Sequence, residues 1–204
     1  MFFPDWASGL AAVRQLAQAR LGLSMLRLAN PAETFTTLRM AGHEKAIVWL
    51  ERFLSLRGAA DGKCLLFAGF TGAGTAQVRA LQRAAAAIWR EQGGVSTGTL
   101  LGRKWAERRF AGVYLRNALW DAGYAVDTME TACDWPRVPA MVQALETAGR
   151  HALAQHGERI HCYTHLSHVY AQGSSVVDPS GFHIPQRKAL SLSRYTLLDL
   201  PVKT

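Results

Sequence analysis

Residues 160–170 read Ile-His-Cys-Tyr-Thr-His-Leu-Ser-His-Val-Tyr, three histidines in a run of β-branched, aromatic and small residues. On a helix His161, His165 and His168 would share one face, but the residue types favour a strand. Alternation along a strand places His161 and His165 on one face and His168 and Tyr170 on the other. Three histidines split in this way do not converge on one ion, so no metal site is expected. Two readings stay open for this strand. Its histidines are either buried imidazoles satisfied by hydrogen bonds, or one wall of a polar pocket.

The same alternation of elements continues outward. Pro136 to Gln155 predicts a helix closed by His156-Gly157, and residues 123–131 (GYAVDTMET) predict a strand before it. Thr75 to Gln92, rich in Ala, Leu and Arg and closed by Gly93-Gly94, is the clearest helix. Lys63 to Phe70 reads as a short apolar strand, Val95 to Gly98 as another, and Leu101 to Arg109 as a helix. Nearer the start, Leu10, Val13, Leu16 and Ala17 have helical spacing, and Leu21 to Leu28 reads as a strand with Arg27 inside it. Asn30-Pro31-Ala32-Glu33 is a helix-start signal with Asn30 as N-cap and Glu33 placed for a capping box. A further helix from His43 to Leu56 is expected to bury Ile47, Leu50, Phe53 and Leu54. Strands alternating with helices make the chain an α+β or α/β domain.

Composition agrees with one folded domain. The 204 residues are 49% hydrophobic and 19% charged, which excludes an intrinsically disordered chain. Cys64, Cys133 and Cys162 form no CxxC pair, so neither a disulfide framework nor a structural zinc is expected. No apolar run approaches the ~18 residues of a membrane span. The start Met-Phe-Phe-Pro-Asp-Trp lacks a secretory signal's pattern, and the expected compartment is the cytoplasm. The net charge of +8 suits an anionic partner. Its densest cluster, Arg103, Lys104, Arg108 and Arg109, is interrupted by Trp105 and Glu107 and reads as a solvated helix face, with no nucleic-acid partner expected.

Local motifs alone carry little chemistry. Gly69-Phe-Thr-Gly72-Ala-Gly74 stands between a strand and a helix but has neither dinucleotide-fingerprint nor Walker spacing, and reads as a plain turn. Arg116 has the planar fork suited to phosphate or carboxylate, and an Arg116–Glu130 ion pair would explain both residues without a ligand. From Val176 onward, Pro179, Gly181, Pro185 and Pro201 break any period. A last helix or strand near Leu190 to Leu198 and a poorly ordered tail are both open.

Four blocks taken together are more specific. SMLRLANPAET (24–34), the run from GRKWAERRF (102–110) to YLRN (114–117), DTMETACDW (127–135) and CYTHLSHVYAQGSS (162–175) resemble, in this order, the C-terminal half of FAD-linked oxidases of the vanillyl-alcohol-oxidase type. The subgroup most resembled is the alkyldihydroxyacetonephosphate synthases with their bacterial relatives. The resemblance spans residues 1–175. It implies an α+β cap domain, a mainly antiparallel sheet covered by helices with ferredoxin-like elements, that in the family closes over the flavin. The family's FAD-binding domain is expected to be missing from this chain, which would then hold FAD only weakly. Residues 176–204 match nothing in the family and are expected to be a poorly ordered tail on a truncated or frameshifted product. The strand carrying His168 would then lack its partner and invite dimerisation through an open edge.

By resemblance, His168 and Tyr170 fall on the strand facing the active site and are the catalytic candidates. Arg116 and His165 are the substrate-binding candidates. The family's ether-lipid enzymes carry an arginine at the place of His165, which leans the resemblance toward the oxidase-like relatives. Glu130 and Trp135 match family positions and read as structural. The implied substrate is an anionic small molecule, and the flavin supplies the chemistry. The competing reading is a non-catalytic binding or interaction domain that keeps the cap's shape.

Overall fold

The computed structural model describes residues 1–108, 110 and 115–183. In chain order its elements begin with β1 (Phe2–Phe3), α1 (Trp6–Gln18), β2 (Met25–Ala29), α2 (Pro31–Met40), α3 (Glu44–Leu56), β3 (Cys64–Gly69) and α4 (Thr75–Glu91). There follow α5 (Leu100–Arg108), α6 (Leu115–Asp121), β4 (Tyr124–Asp134), a 3-10 turn (Trp135–Arg137) and α7 (Val138–Ala154). The last three are β5 (Ile160–Cys162), β6 (His165–Val169) and β7 (Gly173–His183).

The strands form one antiparallel sheet in the order β1-β3-β2-β6-β7-β4, with β5 also paired to β7. Partners across an antiparallel ladder share a face. Leu66, Leu28, Leu166, Val176 and Thr131 therefore make one row across β3-β2-β6-β7-β4. The first four of that row are fully buried, and they pack with Val13 and Leu16 of α1 and Val138 and Val142 of α7. The next row, on the opposite face, is Leu65, Ala29, His165, Val177 and Glu130. Its β3–β2 end lies in a second apolar cluster with Leu38 of α2, Leu54 of α3 and Phe67. Trp105 of α5 stacks on Phe67 with ring centroids 5.3 Å apart. Toward β4 the same face turns polar.

The local signals explain these elements. Asp5 caps α1 by accepting from Ser8 N at 2.8 Å. Asn30 Oδ1 caps α2 by accepting from Glu33 N at 2.8 Å, with Pro31 in the first turn. The expected capping box does not close. The Asn30 N–H is taken by Thr164 O at 2.9 Å, so the Glu33 carboxylate is free to turn elsewhere.

Several expectations are corrected. Phe53 of α3 is turned outward, 39% exposed beneath the Arg57 guanidinium, because only Leu54 of the expected stripe reaches full burial. Val95 makes a single bridge to Phe2 instead of opening a strand. The strand expected over 160–170 is two strands separated at Tyr163-Thr164. The largest correction concerns residues 176–183, placed by the sequence reading in an unordered tail. They are the body of β7, which pairs with β4 along its whole length and with both β5 and β6 on its other side. Pro179 is tolerated there because it lies level with the break between β5 and β6, where the neighbouring ladder is already interrupted. The strand carrying His168 thus has its partner in β7, which runs on past residue 175. The elements expected near Leu190 to Leu198, and Pro185 and Pro201, lie outside the described residues.

Candidate functional site on the polar half of the sheet

The register between β6 and β7 decides which side chains meet. Leu166 pairs with Val176 and Val169 with Ser174, so three steps on β6 match two on β7. The extra residue is a β-bulge that resets the alternation. Val169 returns to the face of Leu166, and His168 moves to the face of His165. The expected separation of these two histidines onto opposite faces is therefore overturned. His161, opposite Gly181, shares that face as well. Each imidazole nonetheless meets a different partner. His161 Nε2 lies 2.7 Å from Thr36 Oγ1, His165 Nδ1 lies 3.1 Å from Glu33 Oε2, and His168 Nδ1 lies 3.0 Å from Glu130 Oε1.

Two polar clusters result. The inner one joins Arg27 of β2, Glu33 of α2 and His165 of β6. Arg27 donates to Glu33 Oε1 and lies 3.2 Å from His165 Nδ1. The Glu33 and His165 side chains are almost sealed, at 7% and 6% exposure. Burial alone would push the Glu33 carboxyl up. The His165 bond and charge, followed by the Arg27 guanidinium, outweigh it and hold the group below its ordinary value. Tyr163 stands beside this cluster, its phenol pushed up chiefly by burial and then by the Glu33 charge.

The outer cluster joins Glu130 of β4, Ser175 of β7 and His168 of β6. Ser175 Oγ donates to Glu130 Oε1 at 2.6 Å, beside the His168 contact to the same oxygen. The Ser175 hydroxyl, then the His168 ring, hold the Glu130 carboxyl below its ordinary value. His168 and Glu130 are 64% and 50% exposed, so this cluster is open to a ligand.

The remaining candidates are placed elsewhere. Tyr170 closes the β6–β7 turn, its N–H donating to Gly173 O at 2.8 Å, and its side chain is exposed. Arg116 is exposed on α6, which packs on β4. Among the described residues Arg116 makes no ion pair with Glu130, whose carboxylate is engaged by Ser175 and His168. Trp135 is buried, donating from Nε1 to the carbonyls of Tyr170 and Ala171, a structural role that anchors the turn. Arg109 lies outside the described residues.

Sequence reasoning missed Arg27, Glu33 and Ser175 as site residues. The available signal was Arg27 itself, a charge in an otherwise apolar strand. The Gly69–Gly74 turn is filled from within, since Ala73 N donates to Gln77 Oε1 at 2.8 Å at the start of α4. Beneath the sheet, Cys162 Sγ lies 3.2 Å from both oxygens of the fully buried Asp178, with Ser180 Oγ donating to Asp178 at 2.8 Å. Burial first of all pushes the Cys162 thiol up to about 11 and the Cys64 thiol to about 12, which removes both as thiolate nucleophiles.

The chain belongs to the family of FAD linked oxidases, C-terminal domain, whose pattern it follows over residues 1–178. It is similar to alkyldihydroxyacetonephosphate synthase of Dictyostelium discoideum, 26% identical over 180 residues. That alignment covers 84% of this chain and 29% of the relative. Two solved structures of alkyldihydroxyacetonephosphate synthase share the fold, with TM-scores of 0.75 and 0.73. Their identities are 17% and 19%, and they cover 94% and 93% of this chain and 36% of each solved chain. Among the described residues no helix is long and apolar enough to cross a membrane.

Proposed function

We propose that this chain provides the substrate-side wall of a flavin site in an enzyme resembling alkyldihydroxyacetonephosphate synthase. The observation that carries this reading is the change of character along one sheet face. Leu65 and Ala29 are sealed under helices, while His165, His168, Ser175 and Glu130 stand on the same face where no helix covers His168 and Glu130.

The residues fit a ring and an anionic substrate better than a dinucleotide's phosphates. The strand-to-helix turn that would cradle a diphosphate is occupied by Gln77, and its Gly72 is crowded by that side chain, a Cβ there meeting Gln77 Oε1 at 2.9 Å. A bound flavin would supply a two-electron acceptor. The protein's own share is positioning and charge. Arg27 presents a guanidinium at the inner end beside His165, and Arg116 adds an exposed cation from α6. We assign the movement of a substrate hydroxyl proton to the exposed His168, with Tyr170 following at the turn. With the Gly69–Gly74 turn filled by Gln77, the described residues offer FAD no diphosphate cradle there and should by themselves hold it weakly.

Equilibrium dialysis against dihydroxyacetone phosphate tests this. The intact chain should retain the ligand, and His165→Gln and Arg116→Ala should each weaken retention by about tenfold, the effect of one charged contact. Equal retention by both variants and the intact chain would remove the proposal. So would stoichiometric flavin on the purified chain, against its weak-binding part.

A further inference from the structure

Glu130 is the least expected member of the polar face, and its geometry fixes the chemistry of its neighbour. The carboxylate oxygen Oε1 takes two contacts, Ser175 Oγ at 2.6 Å and His168 Nδ1 at 3.0 Å. An ionised carboxylate only accepts. The Ser175 hydroxyl proton is therefore spent on Glu130, and the His168 ring must present a proton from Nδ1. The Ser175 Oγ to His168 Nδ1 separation of 3.5 Å is too long for the serine to compete. In the neutral ring the lone pair is then on Nε2, the nitrogen away from Glu130. The β-bulge between Leu166 and Val169 is what allows this, because without it His168 would lie on the opposite face from Glu130 and Ser175.

We infer that Glu130, itself oriented by Ser175, is a positioning residue that locks His168 in the Nδ1–H tautomer and presents Nε2 as the proton acceptor of the exposed site. This rests on the substrate-wall reading for its purpose, but the tautomer does not. In the proton transfer the substrate O–H bond breaks, its electron pair stays on oxygen, and the proton forms the new N–H bond at Nε2. Nδ1–H remains bonded to Glu130, whose negative charge faces the imidazolium so formed. A serine donating to the carboxylate leaves no serine nucleophile in the cluster. The Ser-Glu-His set thus works as a base with its orienting shell, in the manner of the carboxylate that fixes a catalytic histidine's tautomer.

The test uses the full chain labelled with ¹⁵N at its seven histidines, in two-bond ¹H–¹⁵N spectra at about pH 9, where imidazoles are neutral. His168→Gln assigns the signal. His168 in the intact chain should show a protonated Nδ1 and a lone-pair Nε2. Glu130→Leu should invert that pattern toward Nε2–H, the form that free imidazole favours, while Glu130→Gln, which keeps an acceptor oxygen, should largely restore it. Glu130 is half exposed, and an unchanged amide spectrum shows that the variants fold. A wild-type His168 protonated on Nε2 overturns the inference with no variant needed. An unchanged tautomer in folded Glu130→Leu overturns it as well. Both readouts are taken without flavin or substrate, so a failure of the substrate-wall reading would show separately, in the dialysis.

Discussion

Glu33 of α2 and His165 of β6 stand 3.1 Å apart in the interior, with the Arg27 guanidinium against both. The Glu33 carboxyl sits below its ordinary value of 4.5 in the fold, so its contribution is complete above about pH 4.5 and is lost as the pH falls through the lower folded value. Urea midpoints taken from about pH 7 down to pH 3 should fall steeply only at the acid end. Glu33→Gln leaves Arg27 without its counter-charge and should cost about 3 kcal/mol at neutral pH while flattening the acid limb. An acid limb of equal slope in that variant would show that other carboxylates carry it.

Gly173 starts β7 where the backbone of β4 comes closest. A Cβ there would sit 2.2 Å from Cys133 O and 2.9 Å from Asp134 Cα, contacts that only backbone movement relieves. Gly173→Ala should therefore destabilise the chain by about 3 kcal/mol, read from denaturant midpoints. A change under about 0.5 kcal/mol, the range of neutral surface substitutions, would mean that the β4–β7 register is wrong.

Val176 is fully buried in the central row of the sheet. Val176→Ala should cost about 2 kcal/mol through lost contacts and the small cavity left behind. Ending the chain after Ser175 removes most of β7 and with it the partner of β4, β5 and β6, so that product should lack a cooperative thermal transition. A truncated chain with an unchanged melting temperature would support the boundary that the sequence suggested.

That boundary shows where the sequence stops being legible. The α2 start was readable because Asn30, Pro31 and Glu33 act on backbone groups within one turn. The polar character of 160–170 was readable from composition. β7 was not, because Ser174, Ser175, Asp178, Pro179 and Gly181 are all residue types that favour turns. Their strand is imposed by ladders to β4 and β6 that no local window contains. Nor was the bulge readable, since the step from Leu166 to Val169 is set against β7 and not within β6. One residue of slip moved His168 to the face of His165, and with it the composition of the site. Glu33 read as a cap because its backbone is in a cap position. Its side chain was released by the Thr164 carbonyl, again a distant partner.

The thiols give an independent check on burial. Cys64 and Cys162 are sealed, with their ionisation pushed to about 12 and about 11. At about pH 8 neither should react with iodoacetamide until the chain is unfolded, since the thiolate is the reacting form. Mass spectrometry of the folded chain after alkylation checks this. Modification at the rate of a free thiol would mean that the sheet face is open beneath α1, for Cys64, or beneath α7, for Cys162.

The central claim is that the polar half of one sheet face is a ligand wall. The most direct measurement is the map of amide and side-chain shifts in the ¹⁵N-labelled chain on addition of millimolar dihydroxyacetone phosphate. The account predicts saturable shifts concentrated at Arg27, Glu130, His165, His168 and Ser175, with the opposite face around Leu28 and Val142 silent. Shifts gathered instead on the exposed cations of α5, or on the Gly69–Gly74 turn, would contradict it.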